Sequence, residues 1–194
     1  MELEGVLSDL IGCRCFSAIT GSGVEFAFAL HLGEKQRRHL RLANQRLSFL
    51  QRTYEGSHTL VVECTWRIDG PTGVIASCFD RAKPAGPRDS ALEDLVDRNV
   101  VGVELIRPGL DLMLRFEGDF VLRLFATEVD VGGKRNNWTY SCPFATATVG
   151  PKSIVTLETA SERLAALAHL ASLPPDEDVV EDWLAKNAPA AEDD

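Results

Sequence analysis

The chain has 194 residues, of which 45% are hydrophobic and 25% charged, with 15 Gly against 9 Pro. Such values belong to an ordinary globular protein and exclude collagen, a largely disordered chain and a disulfide-stapled scaffold. No apolar run approaches the roughly 20 residues of a membrane span. The acidic start Met-Glu-Leu-Glu lacks the basic residues of a secretory signal, so a cytoplasmic protein with no membrane association is expected. Five cysteines in such a chain read as reduced thiols.

In chain order, Leu3 to Ile11 predicts a short helical turn. Val24, Phe26, Phe28 and Leu30 then alternate with Glu25, Ala27 and Ala29, the period of a strand with one buried face. A basic belt follows: between His31 and Thr53 lie Lys35, Arg37, Arg38, Arg41, Arg46 and Arg52 against Glu34 alone. Leu60, Val62, Cys64, Trp66 and Ile68 form another alternating set. Asp80 to Asp89, with two prolines and a glycine, reads as a linker. A second helical turn, Ala91 to Val96, precedes Val101, Val103 and Leu105. Leu110, Leu112, Leu114 and Phe116 then run through Glu117-Gly118-Asp119 into Phe120, Leu122 and Leu124, which predicts a hairpin.

After Leu157 the period changes. Thr159-Ala-Ser-Glu162 has capping-box spacing ahead of Leu164, Leu167 and Leu170, and Pro174-Pro175 ends that helix. A second helix is expected from Asp176, with Val179, Val180, Trp183 and Leu184 on one face and three acids in its first turn. Ten of the acidic residues lie between Ile154 and Asp194, so much of the net charge of -9 sits in this tail.

The β portion reads as one pattern used twice. Trp66 and Trp138 each precede a proline by five residues, at Pro71 and Pro143. Leu40-Arg41-Leu42 matches Leu122-Arg123-Leu124, and Gly23 to Phe28 matches Gly109 to Leu114. Ser8-Asp9-Leu10-Ile11 matches Glu93-Asp94-Leu95-Val96 in the same order. The expected fold is mainly β (α+β): two related antiparallel lobes from an internal duplication, then two C-terminal helices. The corresponding division is residues 1–79, a linker at 80–90, residues 91–157, helices at 158–188 and an acidic tail at 189–194.

Catalytic and metal constellations are weighed next. Cys13 and Cys15 would share a strand face, yet a structural zinc site needs four ligands and no second close pair is present. All five cysteines are therefore read as small apolar fillers, and no metal or cofactor is expected. Glu55, Ser57 and His58 have the residue types of an acid, nucleophile and base, but triads assemble from distant segments, so these are read as loop residues. His31 and His39 flank the basic segment, and His169 is assigned to a helix face. Asn137-Trp138-Thr139 spells a glycosylation acceptor by letter only.

Three contact surfaces remain. Arg37, Arg38 and Arg41 in the basic belt are the first, read foremost as a solvated face or an intramolecular contact, then as a protein-partner site, and last as a nucleic-acid contact. With few aromatics interleaved and a pI near 5, nucleic acid is disfavoured as the main ligand. The second is the mixed-charge loop from Glu128 to Asn137, with Glu128, Asp130, Lys134 and Arg135. Val180 and Trp183 on the last helix are the third.

The block Leu-x-x-Leu-(Val/Ile)-x-x-x-Val, an alternating strand, Leu-Arg-Leu and Asn-Trp-Thr resembles small uncharacterised bacterial proteins, some of them similar to immunity proteins of polymorphic toxin systems. Residues Ala91 to Pro151 carry it, with Leu10 to Pro71 as a diverged copy. The pattern consists of core residues and brings no catalytic ones. The leading expectation is a non-enzymatic protein-binding module, possible also as a homodimer, whose partner is a toxin or a complex subunit. The alternatives are an enzyme or small-ligand binder between the lobes, near Asp69, Asp111 and Arg123, and an accessory subunit of a nucleic-acid-processing or defence assembly.

Overall fold

The computed structural model describes residues 2–20, 27–38, 41–80, 86–129, 135–162 and Ala165. The chain divides into a β body, residues 1–159, and a second unit, residues 160–194. In that second unit residues 160–162 are helical, at the position of the capping-box spacing. The remainder of the two expected helices, with Val180 and Trp183, lies outside the described residues.

The body opens with helix α1 (Leu3–Ser8) and strands β1 (Cys15–Thr20) and β2 (Phe28–Arg37), then a short helix α2 (Phe49–Thr53). Strands β3 (Tyr54–Val62), β4 (Thr65–Gly70) and β5 (Gly73–Ser77) follow. Helix α3 (Pro87–Glu93) leads into β6 (Val100–Ile106), β7 (Asp111–Phe116), β8 (Phe120–Phe125), β9 (Trp138–Ser141), β10 (Ala145–Val149) and β11 (Val155–Thr159). All strand neighbours pair antiparallel. They form a six-stranded sheet, β1-β2-β3-β9-β10-β11, and a five-stranded sheet, β5-β4-β8-β7-β6.

Only the five-stranded sheet is made from one stretch of chain, the consecutive strands β4–β8; the six-stranded sheet is built from both sides of it. The six-stranded sheet joins the early strands β1–β3 to the late strands β9–β11, and the five-stranded one pairs β4 with β8. The chain leaves one sheet for the other at Glu63-Cys64. The period-two alternation runs through that step unbroken, so Leu60, Val62, Cys64, Trp66 and Ile68 are all buried. One alternating set in the sequence is therefore two strands in two sheets.

Cross-strand rows show how the apolar faces are filled. In one sheet Phe28 pairs with Val62, and Val62 with Trp138; in the other Leu112 pairs with Leu124, and Leu124 with Trp66. The next row is Leu30, Leu60 and Tyr140 against Leu114, Leu122 and Ile68, ending in Ala147 and Ala76 on the fifth strands. In the register Leu60 and Val62 pair with Leu30 and Phe28, and Leu122 and Leu124 pair with Leu114 and Leu112. Arg41 and Leu42 lie in the connection between β2 and β3, beyond the end of the core rows.

Two tight segments bring the sheets together. Arg14 and Asn99, which precede β1 and β6, form an antiparallel bridge. Around it Gly12 N–H donates to Val100 O (2.8 Å) and Asp97 N–H to Cys15 O (2.6 Å). Cys15 N–H donates to Arg98 O and Val100 N–H to Cys13 O, both at 2.9 Å. Gly12 and Asp97 occupy corresponding places and both have positive φ, +86° and +71°. Leu3, Val6 and Leu7 from α1 with Leu10 in the turn after it, and Ala91 and Leu92 from α3 with Leu95 in the turn after it, join one continuous core with both sheets.

Trp66 and Trp138 are 1% and 0% exposed, so each anchors its row. Trp66 meets the Phe28 ring edge-on at 5.2 Å, and Trp138 Nε1 donates to Leu110 O at 3.1 Å. Trp66→Ala or Trp138→Ala should each lower stability by about 3–5 kcal/mol in urea unfolding. Trp138→Phe, which keeps most of the ring packing but strips the Leu110 carbonyl of its donor, should lose about 1–3 kcal/mol. A loss within about 0.5 kcal/mol for either alanine variant would contradict this packing.

Candidate functional site

The β body carries two long connections between strands. The chain uses residues 38–53 to pass from β2 to β3 but only Glu117-Gly118-Asp119 from β7 to β8. It uses residues 126–137 between β8 and β9 but only Glu63-Cys64 between β3 and β4. The basic belt occupies the first long connection and the mixed-charge loop the second.

The first connection is held rigidly although it lies outside the apolar core. Ser48 caps α2, accepting from Gln51 N–H at 3.2 Å while the Gln51 side chain accepts from Ser48 N–H at 2.9 Å, a capping box. Gln51 Nε2 also donates to Ala18 O on β1 at 2.9 Å. Arg38 N–H donates to Thr53 O, and Leu42 N–H to Arg52 O. A pocket of about 460 Å³ opens beside this turn, lined by Arg37, Arg38, Arg41, Phe49 and Thr53. The structure thus brings together the three arginines picked out in the sequence.

Their states differ. The Arg38 side chain is 12% exposed and donates to Glu55 Oε2 at 2.9 Å, to Gln51 O at 3.3 Å and to His31 Nε2 at 2.7 Å. Arg37 and Arg41 are exposed and have no carboxylate partner among the described residues. The Arg41 guanidinium lies 5.3 Å from the centre of the Phe49 ring, which is itself 63% exposed. Thr53 Oγ1 and Arg52 Nε are buried without a hydrogen-bond partner among the described residues.

His31 is buried at 3% exposure between the Phe16 ring, Thr59 and Arg38. Since a guanidinium can only donate, Nε2 must accept from Arg38 and the proton sits on Nδ1, which donates to Thr59 Oγ1 at 3.1 Å. The contact of Gly56 N–H with Nδ1, at 3.4 Å, is then not a hydrogen bond. Burial first, and the Arg38 charge second, push the imidazole down to about 4. A neutral His31 is thus part of what fixes Arg38.

Ser57 and His58 meet an acid after all, but not Glu55, which is committed to Arg38. Ser57 Oγ–H donates to His58 Nδ1 at 2.9 Å, and His58 Nε2–H to Asp9 Oδ2, just past α1, at 2.8 Å. Here the order acid–base–hydroxyl is the familiar one. However, Ser57 Oγ also accepts from Glu34 N–H, and the amides of Gly12, Cys13 and Gly33 around the adjoining pocket are bonded to Val100, Leu10 and Arg14 carbonyls. Those amides offer no donor for a tetrahedral oxyanion. His58 stacks on the buried Tyr140 and pairs with Leu32 in the row where the other sheet has Phe120 opposite Phe116. The trio therefore ties α1 to β3. Gly33, at φ +74°, makes room for it: a Cβ there would lie 2.5 Å from Ser57 Oγ and 2.8 Å from His58 Nδ1.

In the second long connection, Glu128 is half-buried and Arg135 exposed, whereas Asp130 and Lys134 lie outside the described residues. The residue that closes this loop is Asn137, which is fully buried. Its Oδ1 accepts from Glu128 N–H at 2.9 Å and its Nδ2 donates to Gly150 O at 2.8 Å. A fully satisfied buried amide is a structural anchor, and its burial was not legible in Asn-Trp-Thr. Asp69 is held below the ordinary carboxylate value by Arg123 and Arg67 despite the opposing effect of burial, and Asp111 accepts from Ala126 N–H. These groups stabilise strand ends and outer faces of the sheet. Burial pushes the Cys15 and Cys64 thiols up to about 12, which keeps them protonated. Among the described residues no group of three His, Cys, Asp or Glu side chains could hold a metal ion, and no helix is long and apolar enough to cross a membrane.

What the fold and cleft define is a mainly antiparallel two-sheet protein with a framed basic pocket on an edge connection. Comparison with protein families, with curated proteins and with solved structures returns no match.

The state of His31 has a measurable consequence. Its folded-state value of about 4 lies below the 6.5 of the unfolded chain, so on acidification the unfolded chain takes up the proton first. The neutral imidazole's share of stability is complete above pH 6.5 and is lost as pH falls towards 4. Between pH 7 and pH 4, wild type should lose about 3 kcal/mol more in urea unfolding than His31→Gln, which cannot titrate. Equal losses in both proteins would show that His31 is not held neutral.

Proposed function

We propose that the protein is a non-enzymatic protein-binding module that presents its basic cleft to an acidic surface on a partner. The observation that carries this reading is the pairing pattern of the cleft. Arg38 is immobilised as part of the frame, while Arg37 and Arg41 stand exposed beside Phe49 with no carboxylate partner among the described residues. Arginine with an exposed aromatic is the composition of interface hot spots, and a pre-ordered arginine loses little entropy on docking.

The duplication expected from the sequence belongs to the same proposal. The support is the matching element order, the matching rows anchored by Trp66 and Trp138, and a β-bulge at the same place in both β1–β2 and β6–β7. On this view the two long connections are additions to a shared scaffold, and function resides on them. An immunity-like factor that covers an active site on a toxin is the form of this reading that the sequence resemblance favours. Val180 and Trp183, outside the described residues, belong to the same proposal as a separate candidate contact.

Affinity capture from native lysate with mass spectrometry tests the reading, with wild type and the Arg37→Glu/Arg41→Glu double variant run in parallel. Wild type should retain a stoichiometric acidic protein that the double variant loses, with both baits equally folded by circular dichroism. Equal capture by both would remove the cleft from the interface.

A further inference from the structure

The basic cleft has features that a general acidic surface does not require, and they narrow its ligand. We propose that the pocket lined by Arg37, Arg38, Arg41, Phe49 and Thr53 is a binding site for a phosphomonoester, with an attached ring resting against Phe49. The inference rests on the reading that this cleft is the binding face.

Charge is the first argument. The Arg38 charge is met by Glu55 at 2.9 Å, and His31 beside it is neutral. Arg37 and Arg41 leave two positive charges without a carboxylate partner among the described residues. A phosphomonoester carries about −1.5 to −2 at neutral pH, which matches two cations, whereas a single carboxylate leaves one unmet.

Geometry is the second. The Arg41 guanidinium lies over the Phe49 ring, 5.3 Å from its centre, and a guanidinium over a ring face has its N–H groups available for paired hydrogen bonds to phosphate oxygens. Thr53 lines the pocket beside them. The pocket, at about 460 Å³, lies within the ordinary range for small-ligand sites and has space for more than the anion alone. The third is rigidity: the capping box, the Gln51–Ala18 bond and the Arg38 contacts hold the lining in place before any ligand arrives.

Two-dimensional ¹⁵N NMR titration of the full chain with small probes tests this without any partner protein. Phenyl phosphate should shift the resonances of residues 37–53 and bind about tenfold more tightly than benzoate, its carboxylate counterpart, with inorganic phosphate weaker than phenyl phosphate. Arg37→Ala/Arg41→Ala, whose folding is verified by an otherwise unchanged spectrum, should weaken phenyl phosphate about tenfold or more. A phosphotyrosine-containing pentapeptide binding more tightly than adenosine monophosphate would place the phosphate on a protein; the reverse order would point to a free nucleotide, and either order supports the site. Benzoate binding as tightly as phenyl phosphate, no shifts at residues 37–53, or undiminished binding by the double variant would overturn it. Because lysate capture is a separate measurement, the cleft can fail here as a phosphate site and still stand as an acidic-partner interface.

Discussion

Passage of the chain from one sheet to the other and back is the constraint on which the rest of this structure depends. Strands β1–β3 begin one sheet, the consecutive strands β4–β8 build the other with β4 paired to β8, and β9–β11 return to complete the first. Each sheet therefore takes strands from both sides of the segment 80–90, and neither can complete its apolar rows without both. Trp66 and Trp138 sit on β4 and β9, the first strands after each change of sheet, at the points where the largest buried areas would otherwise be missing. The antiparallel hydrogen bonds around Arg14 and Asn99 lock the two starting edges together, so the sheets are joined at a second place.

Such a frame leaves little freedom in its core but places few demands on its connections. The two long connections are where charged side chains accumulate, and both are anchored by polar contacts instead of apolar burial. In one, Ser48, Gln51 and the neutral His31 hold Arg38. In the other, Asn137 satisfies both ends of its amide inside the body. Side chains held in place by such contacts have less entropy to lose on binding, which favours recognition.

The polar groups inside the protein also show how similar rows acquire different tasks. Where one sheet has Phe120 with the Arg98 guanidinium stacked over it at 3.9 Å, the other has His58 bonded to Asp9 and Ser57. That difference replaces an apolar contact with a hydrogen-bonded tie between α1 and β3. It resembles a catalytic relay in residue types and order, yet the surrounding amides are committed to the backbone. Residue types alone do not make a site; the free donors around them do.

Much of the scaffold was legible along the chain, because burial on one face imposes a period of two and helix ends have their own residue preferences. The first helical turn, the Glu117–Asp119 hairpin and the alternating rows through Trp66 and Phe116 follow from that local physics, whereas the second helix, expected from Ala91, begins at Pro87 inside the segment read as a linker. The arginines of the cleft were visible as a run of like charge. What could not be read locally was which strand lies beside which. Alternation specifies a face but not a neighbour, so the step from β3 to β4 inside the set from Leu60 to Ile68 leaves no mark in the pattern. For the same reason Asp9, 49 residues from His58, and Glu55, the partner of Arg38, were invisible as partners. Periodicity is a property of the chain, whereas pairing and charge compensation arise only when distant segments are brought together in space.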